Sequence, residues 1–286
     1  MTFTLERVAA ADRFRDYCLW DYAPRTPPVG KLNSANLLWK ALEVAGEGAQ
    51  FQHTLRRLRD QLGPFQTVYG VKAFGERLSF EFYFYDYARL ERRVSLPRVA
   101  SIVTPHSAFA PAALERRPYF MFSLDLDGEI VAGRRPAEAA HVYFGNPGSN
   151  VSSGVSYDFT RDGLALTNLY FFFDRRREWD DIAAKVACSA HHDLRGLPLD
   201  RILRPELTEC EVVVVANKRL CDGVYFSRLA IDPLIGFLQD RFPAPLAEFA
   251  RIHRDALSHM LYDVGIDYRV AGGQALALKS AFYGLL

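Results

Sequence analysis

The chain has 286 residues, 49% hydrophobic and 24% charged, a profile that excludes a disordered or fibrous protein and leaves room for a sizeable core. Its formal net charge is +1, so no global field attracts nucleic acid or an anionic membrane, and any anion site must be built from locally placed Lys and Arg. Four scattered cysteines, Cys18, Cys188, Cys210 and Cys221, form no CxxC pair and imply reduced thiols in a cytoplasmic protein; no apolar stretch has the length of a signal core or a membrane span.

In chain order, residues 3–20 read as a helix, with Leu5, Val8, Phe14 and Leu19 among its apolar positions. The Pro- and Gly-containing segment 25–30 breaks the pattern. Asn33 and Ser34 read as an N-cap for a helix over 35–45, and a second helix over 48–62 is closed by Gly63 and Pro64. A hairpin then fills 67–86, turning at Phe74 and Gly75. On its second strand Ser79, Glu81, Tyr83 and Tyr85 share one face, and Phe80, Phe82 and Phe84 the other. One face is purely apolar and the other carries hydroxyls and a carboxylate, which suits a barrel coated by helices, with a lumen that holds something.

The pattern repeats. A helical stretch covers 88–103 and a short helix 108–115. A strand at 119–126 turns at Asp127 and Gly128, and its partner falls within 141–144. After a Gly/Ser/Asn loop at 146–154 come strands at 155–159 and 164–174, then a helix over 175–190. Strands at 210–217 and 224–231 follow, joined through 218–223. Asp232 and Pro233 read as the cap and first residue of a helix, and another helix spans 245–260. The last pair, 264–270 and 275–284, flanks Gly272 and Gly273. The expected fold class is α+β. It is a ten-stranded antiparallel β-barrel of about five αββα repeats, each pair separated by helices that form an outer ring, in a single domain over 1–286.

The inward set combines two chemistries. Lys72, Arg228 and Lys279 supply cations, with Arg134, Arg135 and His141 as further candidates; Tyr83, Tyr85, Tyr170, Phe172 and Tyr283 supply aromatic faces. Lys279 shares its face with Ala275, Ala277, Ala281 and Tyr283, and a lone buried ammonium there calls for an anion or a wet cavity. On the eighth strand Val224, Phe226 and Arg228 are expected to face inward. Cations with hydrogen-bond donors suit a diphosphate, and Tyr and Phe faces suit an apolar ligand or a developing carbocation. Glu81, set between Phe80 and Phe82, is the candidate catalytic group because unpaired buried carboxylates are rare. The charged run at 174–178 reads as a solvated helix start. His191, His192, His253 and His259 read as surface or satisfied histidines without metal-ligand company. No GxGxxG, P-loop or GxSxG motif occurs.

An antiparallel barrel of five such units resembles the aromatic prenyltransferases of the ABBA (PT-barrel) type. The resemblance spans the whole chain as a pattern. Residues 119–129, with Met121, Phe122 and Ser123 leading into Asp127, Gly128 and Glu129, are similar to the second hairpin of the small bacterial members. Tyr157 and Asp158 through Asn168, Tyr170 and Phe171 are similar to the third. Lys279, Ala281 and Tyr283 fit a K-x-G-x-Y pattern with Ala in place of Gly.

The resemblance implies an enzyme of natural-product biosynthesis. It would transfer an isoprenoid from dimethylallyl, geranyl or farnesyl diphosphate to an aromatic acceptor, either a small molecule or a peptide side chain. It further implies that Lys72, Asn168, Arg228 and Lys279 contact the diphosphate, and that Tyr83, Tyr170, Phe172 and Tyr283 line the isoprenoid pocket. Some relatives place an Asp for Mg²⁺ in the first hairpin, where Glu81 is the nearest equivalent. Others need no metal and use added basic residues such as Lys72, so Mg²⁺ dependence stays open. A carboxylate at Glu81 can instead bind an indole N–H or take a proton. The competing expectation is a non-catalytic barrel that binds a hydrophobic small molecule, and a third is an ordinary α+β domain whose strands do not close.

Overall fold

The computed structural model describes residues 3–87, 91–146, 152–189, 191, 199–271 and 274–286. Ten antiparallel strands close into one barrel. They are β1 (Thr67–Phe74), β2 (Arg77–Tyr85), β3 (Met121–Leu126), β4 (Ala140–Gly145), β5 (Ser153–Thr160), β6 (Gly163–Asp174), β7 (Val212–Lys218), β8 (Asp222–Leu229), β9 (Tyr262–Ala271) and β10 (Gln274–Leu285). Each strand pairs with its neighbours in sequence, and β10 closes on β1, with Val68 opposite Leu285 and Lys72 opposite Ala281. The ten-stranded α+β barrel expected from the alternation is the fold observed.

Eight α-helices lie among the described residues: α1 (Ala35–Val44), α2 (Ala49–Leu62), α3 (Leu96–Val103), α4 (Gly128–Val131), α5 (Trp179–Ala187), α6 (Ile231–Arg241), α7 (Ala244–Ile252) and α8 (Arg254–Leu257). Two cores result from the period-two alternation of the strands. Outside the barrel, Leu38, Trp39, Leu55, Val99, Ile182 and Leu238 of the helices pack with Phe80, Phe82, Phe122, Phe226 and Phe282. A second cluster, formed by the opposite faces of the strands, includes Tyr85, Met121, Tyr143, Val214, Tyr225 and Tyr283.

Several expected elements are corrected. Residues 3–20 contain no helix. Their apolar positions do not recur at helical spacing, and their backbone groups find partners elsewhere: Glu6 N–H donates to Asn36 Oδ1 at 2.8 Å, and Val8 N–H to the Lys31 carbonyl at 2.8 Å. The helix expected over 88–103 is α3 alone. It begins where Ser95 caps the Arg98 N–H and Pro97 fits the first turn; residues 88–90 lie outside the described residues. Residues 108–115 hold only a 3₁₀ turn, Pro111–Leu114. Asp127 caps α4, so the second pair carries a helix inside it, and no helix separates β4 from β5 among the described residues. The helix expected over 175–190 is shorter, at α5. Asp232 lies inside the first turn of α6, where it pairs with Arg254 at 2.6 Å, and the helix expected over 245–260 divides into α7 and α8. His192, Gly272, Gly273 and most of the 146–154 loop lie outside the described residues.

Candidate functional site

The second strand of every hairpin sends a tyrosine into the lumen at the same level: Tyr83 on β2, which also carries Tyr85 further along, Tyr143 on β4, Tyr170 on β6, Tyr225 on β8 and Tyr283 on β10. Ring centroids are 6.0 Å apart for Tyr143 and Tyr170, 6.4 Å for Tyr170 and Tyr225, 6.4 Å for Tyr225 and Tyr283, and 5.8 Å for Tyr283 and Tyr83. The five rings form a belt around the inner wall. Glycines make room for it. A Cβ on Gly265 would lie 2.3 Å from the Tyr225 ring, and one on Gly70 would lie 3.0 Å from the Tyr283 ring. Burial raises the pKa of all five phenols, which therefore stay neutral and act as hydrogen-bonding groups.

Next to the belt lies a layer of charge. Lys218 Nζ bonds both oxygens of Asp267 at 2.7 Å and Tyr225 Oη at 2.7 Å, and Lys279 Nζ reaches Asp267 Oδ2 at 2.7 Å. Asn168, the register partner of Lys218, donates to Ser156 Oγ and Tyr170 Oη at 2.9 Å. Lys72 Nζ pairs with Glu81 Oε2 at 2.7 Å and Asp125 Oδ1 at 2.6 Å. Glu81 also accepts from Tyr83 Oη at 2.6 Å and from Ser123 Oγ. His141 bridges Asp158 at 2.6 Å and Asp125 at 3.2 Å.

Burial acts against every charge here, and the pairing outweighs it for most of them. Burial raises the Glu81 and Asp267 pKa values, but Lys72 and Lys218 respectively bring both below the usual carboxylate range. Burial lowers that of His141, but hydrogen bonds to Asp125 and Asp158 and the Glu81 charge carry it up to about 10. Lys279 is the exception. Burial, with Lys218 and Lys72 nearby, lowers its pKa despite Asp267. It is the ammonium with the most to gain from an added anion.

On the other side of the belt is a chamber of about 240 Å³, lined by the belt and by Tyr85, Met121, Phe172 and Val214. A loop of the N-terminal segment reaches over it. Asp16 Oδ1 accepts from the Cys18 and Trp20 N–H groups at 2.9 Å, and Tyr17 lies 5.5 Å from Tyr283, centroid to centroid. Tyr85 and Tyr87 donate to the Tyr17 and Cys18 carbonyls, and Asp263 accepts the Tyr17 N–H at 3.0 Å. Trp20 and Tyr87, both about half exposed, border the opening. Beyond the charged layer a polar hollow of about 500 Å³ is lined by Lys72, Asp125 and His141, with Arg77 and Arg135.

Of the residues singled out in the sequence, Lys72, Glu81, Tyr83, Asn168, Tyr170, Phe172, Lys279 and Tyr283 come together in or beside the lumen. Arg228 does not. Val224 and Phe226 face the helices, and Tyr225 and Ser227 face inward, so the assigned face of β8 is reversed. Arg228 lies within an irregularity in the β8–β9 register, between Phe226 and Leu229, takes φ +68°, and pairs with Asp16 at 3.0 Å and Glu211 at 2.9 Å, at the opposite end of β8 from Lys218. Arg134 is bound to Glu129 on the surface, and Arg135 to Asp127. His259, expected on the surface or satisfied, is neither: it is fully buried against Phe14, and both its ring nitrogens lack a hydrogen-bond partner among the described residues.

The sequence reading missed Lys218, placed in a turn, and Asp267, Tyr143 and Tyr225. The signal for the tyrosines was an inward Tyr on each second strand. The Glu81 oxygens already hold Lys72, Tyr83 and Ser123, and among the described residues no group of three or more His, Cys, Asp or Glu is placed to hold a metal ion by protein ligands alone. The four cysteines are free thiols, and no helix among the described residues is long and apolar enough to cross a membrane. No known family model matches this chain, and no curated protein matches it either.

Proposed function

We propose that the barrel is an aromatic prenyltransferase. The observation that carries this reading is the tyrosine belt lying between an apolar chamber and three lysines. A diphosphate beside Lys218, Lys279 and Asn168 finds ammonium and amide donors, and its isoprenoid tail lies against the belt. Cleavage of the C–O bond leaves diphosphate at the lysines and an allylic cation facing neutral phenol rings, which attract it through their π faces. The acceptor ring supplies the electron pair for the new bond and then loses a proton. Glu81, held ionised by Lys72, is the base for that proton or the anchor for an acceptor N–H or O–H. The belt and the loop over the chamber limit water access to the cation.

A second reading, a non-catalytic carrier of a hydrophobic molecule, draws on one observation: Lys72, Lys218 and Lys279 each already have a carboxylate partner. The two separate by experiment. Calorimetric titration with dimethylallyl, geranyl and farnesyl diphosphates is expected to show binding, and Lys218→Gln with Lys279→Gln to weaken it by about a hundredfold, on the order of two charge-assisted hydrogen bonds. Absence of binding to all three, in a folded protein, removes the enzyme. Tight binding of the corresponding alcohols, unaffected by the lysine substitutions, supports the carrier.

A further inference from the structure

Independently of the prenyl-transfer reading, we infer that Lys279 is a nucleophilic amine that captures a small 2-oxo acid as a covalent imine, with Asp267 as the counter-ion. The ground for this is the way one carboxylate is shared. Lys218 Nζ lies 2.7 Å from both Asp267 oxygens and from Tyr225 Oη, which together occupy its three N–H groups. Lys72 Nζ has two carboxylates, Glu81 at 2.7 Å and Asp125 at 2.6 Å. Among the described residues Lys279 Nζ has one ionic partner, the Asp267 Oδ2 that Lys218 already uses, at 2.7 Å. Two ammonium groups therefore divide one negative charge, and Lys279 is the less firmly held of the two.

Such a pair has two ways to relax. One amine gives up its proton and becomes a nucleophile, or an added anion completes the balance. A 2-oxo acid answers both: its carbonyl carbon takes the amine, and its carboxylate brings the second negative charge. Burial, Lys218 and Lys72 lower the Lys279 pKa despite Asp267, in line with the first route. Access is from the hairpin-turn end, where the Lys279 side chain keeps 17% of its surface exposed and Lys72 lines the polar hollow. Toward the chamber the next inward residues of β10 are Ala281 and Tyr283 of the belt, so the ligand arrives from the turn end. In the reaction Lys279 loses one proton to solvent, and its electron pair forms a bond to the carbonyl carbon. The C=O π pair moves to oxygen, and Lys218 gives that oxygen a proton and takes one from the nitrogen. The hydroxyl then leaves as water on gaining a proton from solvent. The nitrogen pair closes the C=N bond, and the iminium stays beside Asp267.

The test is labelling of the full chain near neutral pH with glyoxylate and cyanoborohydride, which reduces the imine to a stable carboxymethyl amine, followed by peptide mapping. Lys279 is expected to react about tenfold faster than Lys31 and Lys40, which lie outside the lumen. Acetaldehyde, with the same number of carbons and no charge, is expected to favour Lys279 over Lys31 about tenfold less than glyoxylate does. Lys218→Gln gives Lys279 sole use of Asp267 and should slow its labelling by about tenfold, with circular dichroism checking the fold. A Lys279 rate no higher than that of Lys31 in the unaltered chain overturns the inference, and so does an unchanged rate in folded Lys218→Gln. Equal preference for acetaldehyde and glyoxylate overturns the assignment of an oxo acid. Any of these failures leaves prenyl transfer standing, because a Lys279 that keeps its proton still binds diphosphate.

Discussion

Both ends of the lumen bury carboxylates, and the two sets behave in opposite ways. Near the three lysines, Glu81 and Asp267 sit below the ordinary carboxylate range despite burial. At the end covered by the N-terminal loop, burial raises Asp16 and takes Asp263 up to about 7, with the Asp16 charge adding to it. What differs is the supply of cations. Lys72, Lys218 and Lys279 serve the first set, whereas the second shares Arg228, and that guanidinium is divided with Glu211. Burial alone therefore does not decide the state of an acid here; the count of nearby ammonium and guanidinium groups does. The lysine end is a fixed field suited to an anion, and the loop end is a joint sensitive to protons.

That contrast can be broken most forcefully at Asp267. Asp267→Leu strands two buried ammonium groups and is expected to cost about 3–5 kcal/mol in urea unfolding, with Lys218→Met recovering part of the loss. The pH response sharpens it next. His141 is raised to about 10 in the fold, above its unfolded value near 6.5. Its contribution is thus complete below about pH 6.5 and falls by about 1.4 kcal/mol per pH unit up to about pH 10. His141→Gln should remove that slope in unfolding curves taken from pH 7 to 10. Gly265→Ala is expected to cost about 1–3 kcal/mol in thermal unfolding, because the added methyl forces the Tyr225 ring away from its place in the belt.

The smallest effect belongs to the loop end. Asp263, raised above its unfolded value, keeps a proton that the unfolded chain has released, so the native state loses stability as pH rises from about 4 to about 7. Asp263→Asn should flatten this window and gain on the order of 1 kcal/mol at pH 8, read from denaturant midpoints at pH 5 and 8. A variant destabilised equally at both values would mean that the three hydrogen bonds to Asp263 matter more than its charge.

The barrel was legible because β2 alternates without exception, and because Lys279 sits on a face of small residues that cannot hide an ammonium. Glu81 and Lys72 followed from the same alternation. Parity also explains the error at Arg228. It shares its parity with Val224 and Phe226, the helix-facing residues, and a charge was allowed to outweigh two apolar neighbours. Lys218 escaped because β7 runs into what looked like a turn, and Asp267 because its role depends on Lys218 and Lys279 arriving from other strands. The loop at the N-terminal end was illegible for a related reason. Its conformation is fixed by Asp263 and Tyr85, far away in the sequence, whereas local apolar residues suggested a helix.

Closure of β10 on β1 also governs how the molecule is made. Val68 waits for Leu285, and Ser34 Oγ donates to the Leu285 carbonyl at 2.9 Å and accepts its N–H at 3.0 Å, so contacts between early and late segments complete the wall. During synthesis β1 and β9 are unpaired edges until β10 emerges, and the lumen's tyrosines and lysines lie in an open trough. Folding should accordingly be slow and strongly length-dependent, and a chain stopped short of β10 should aggregate rather than bind weakly.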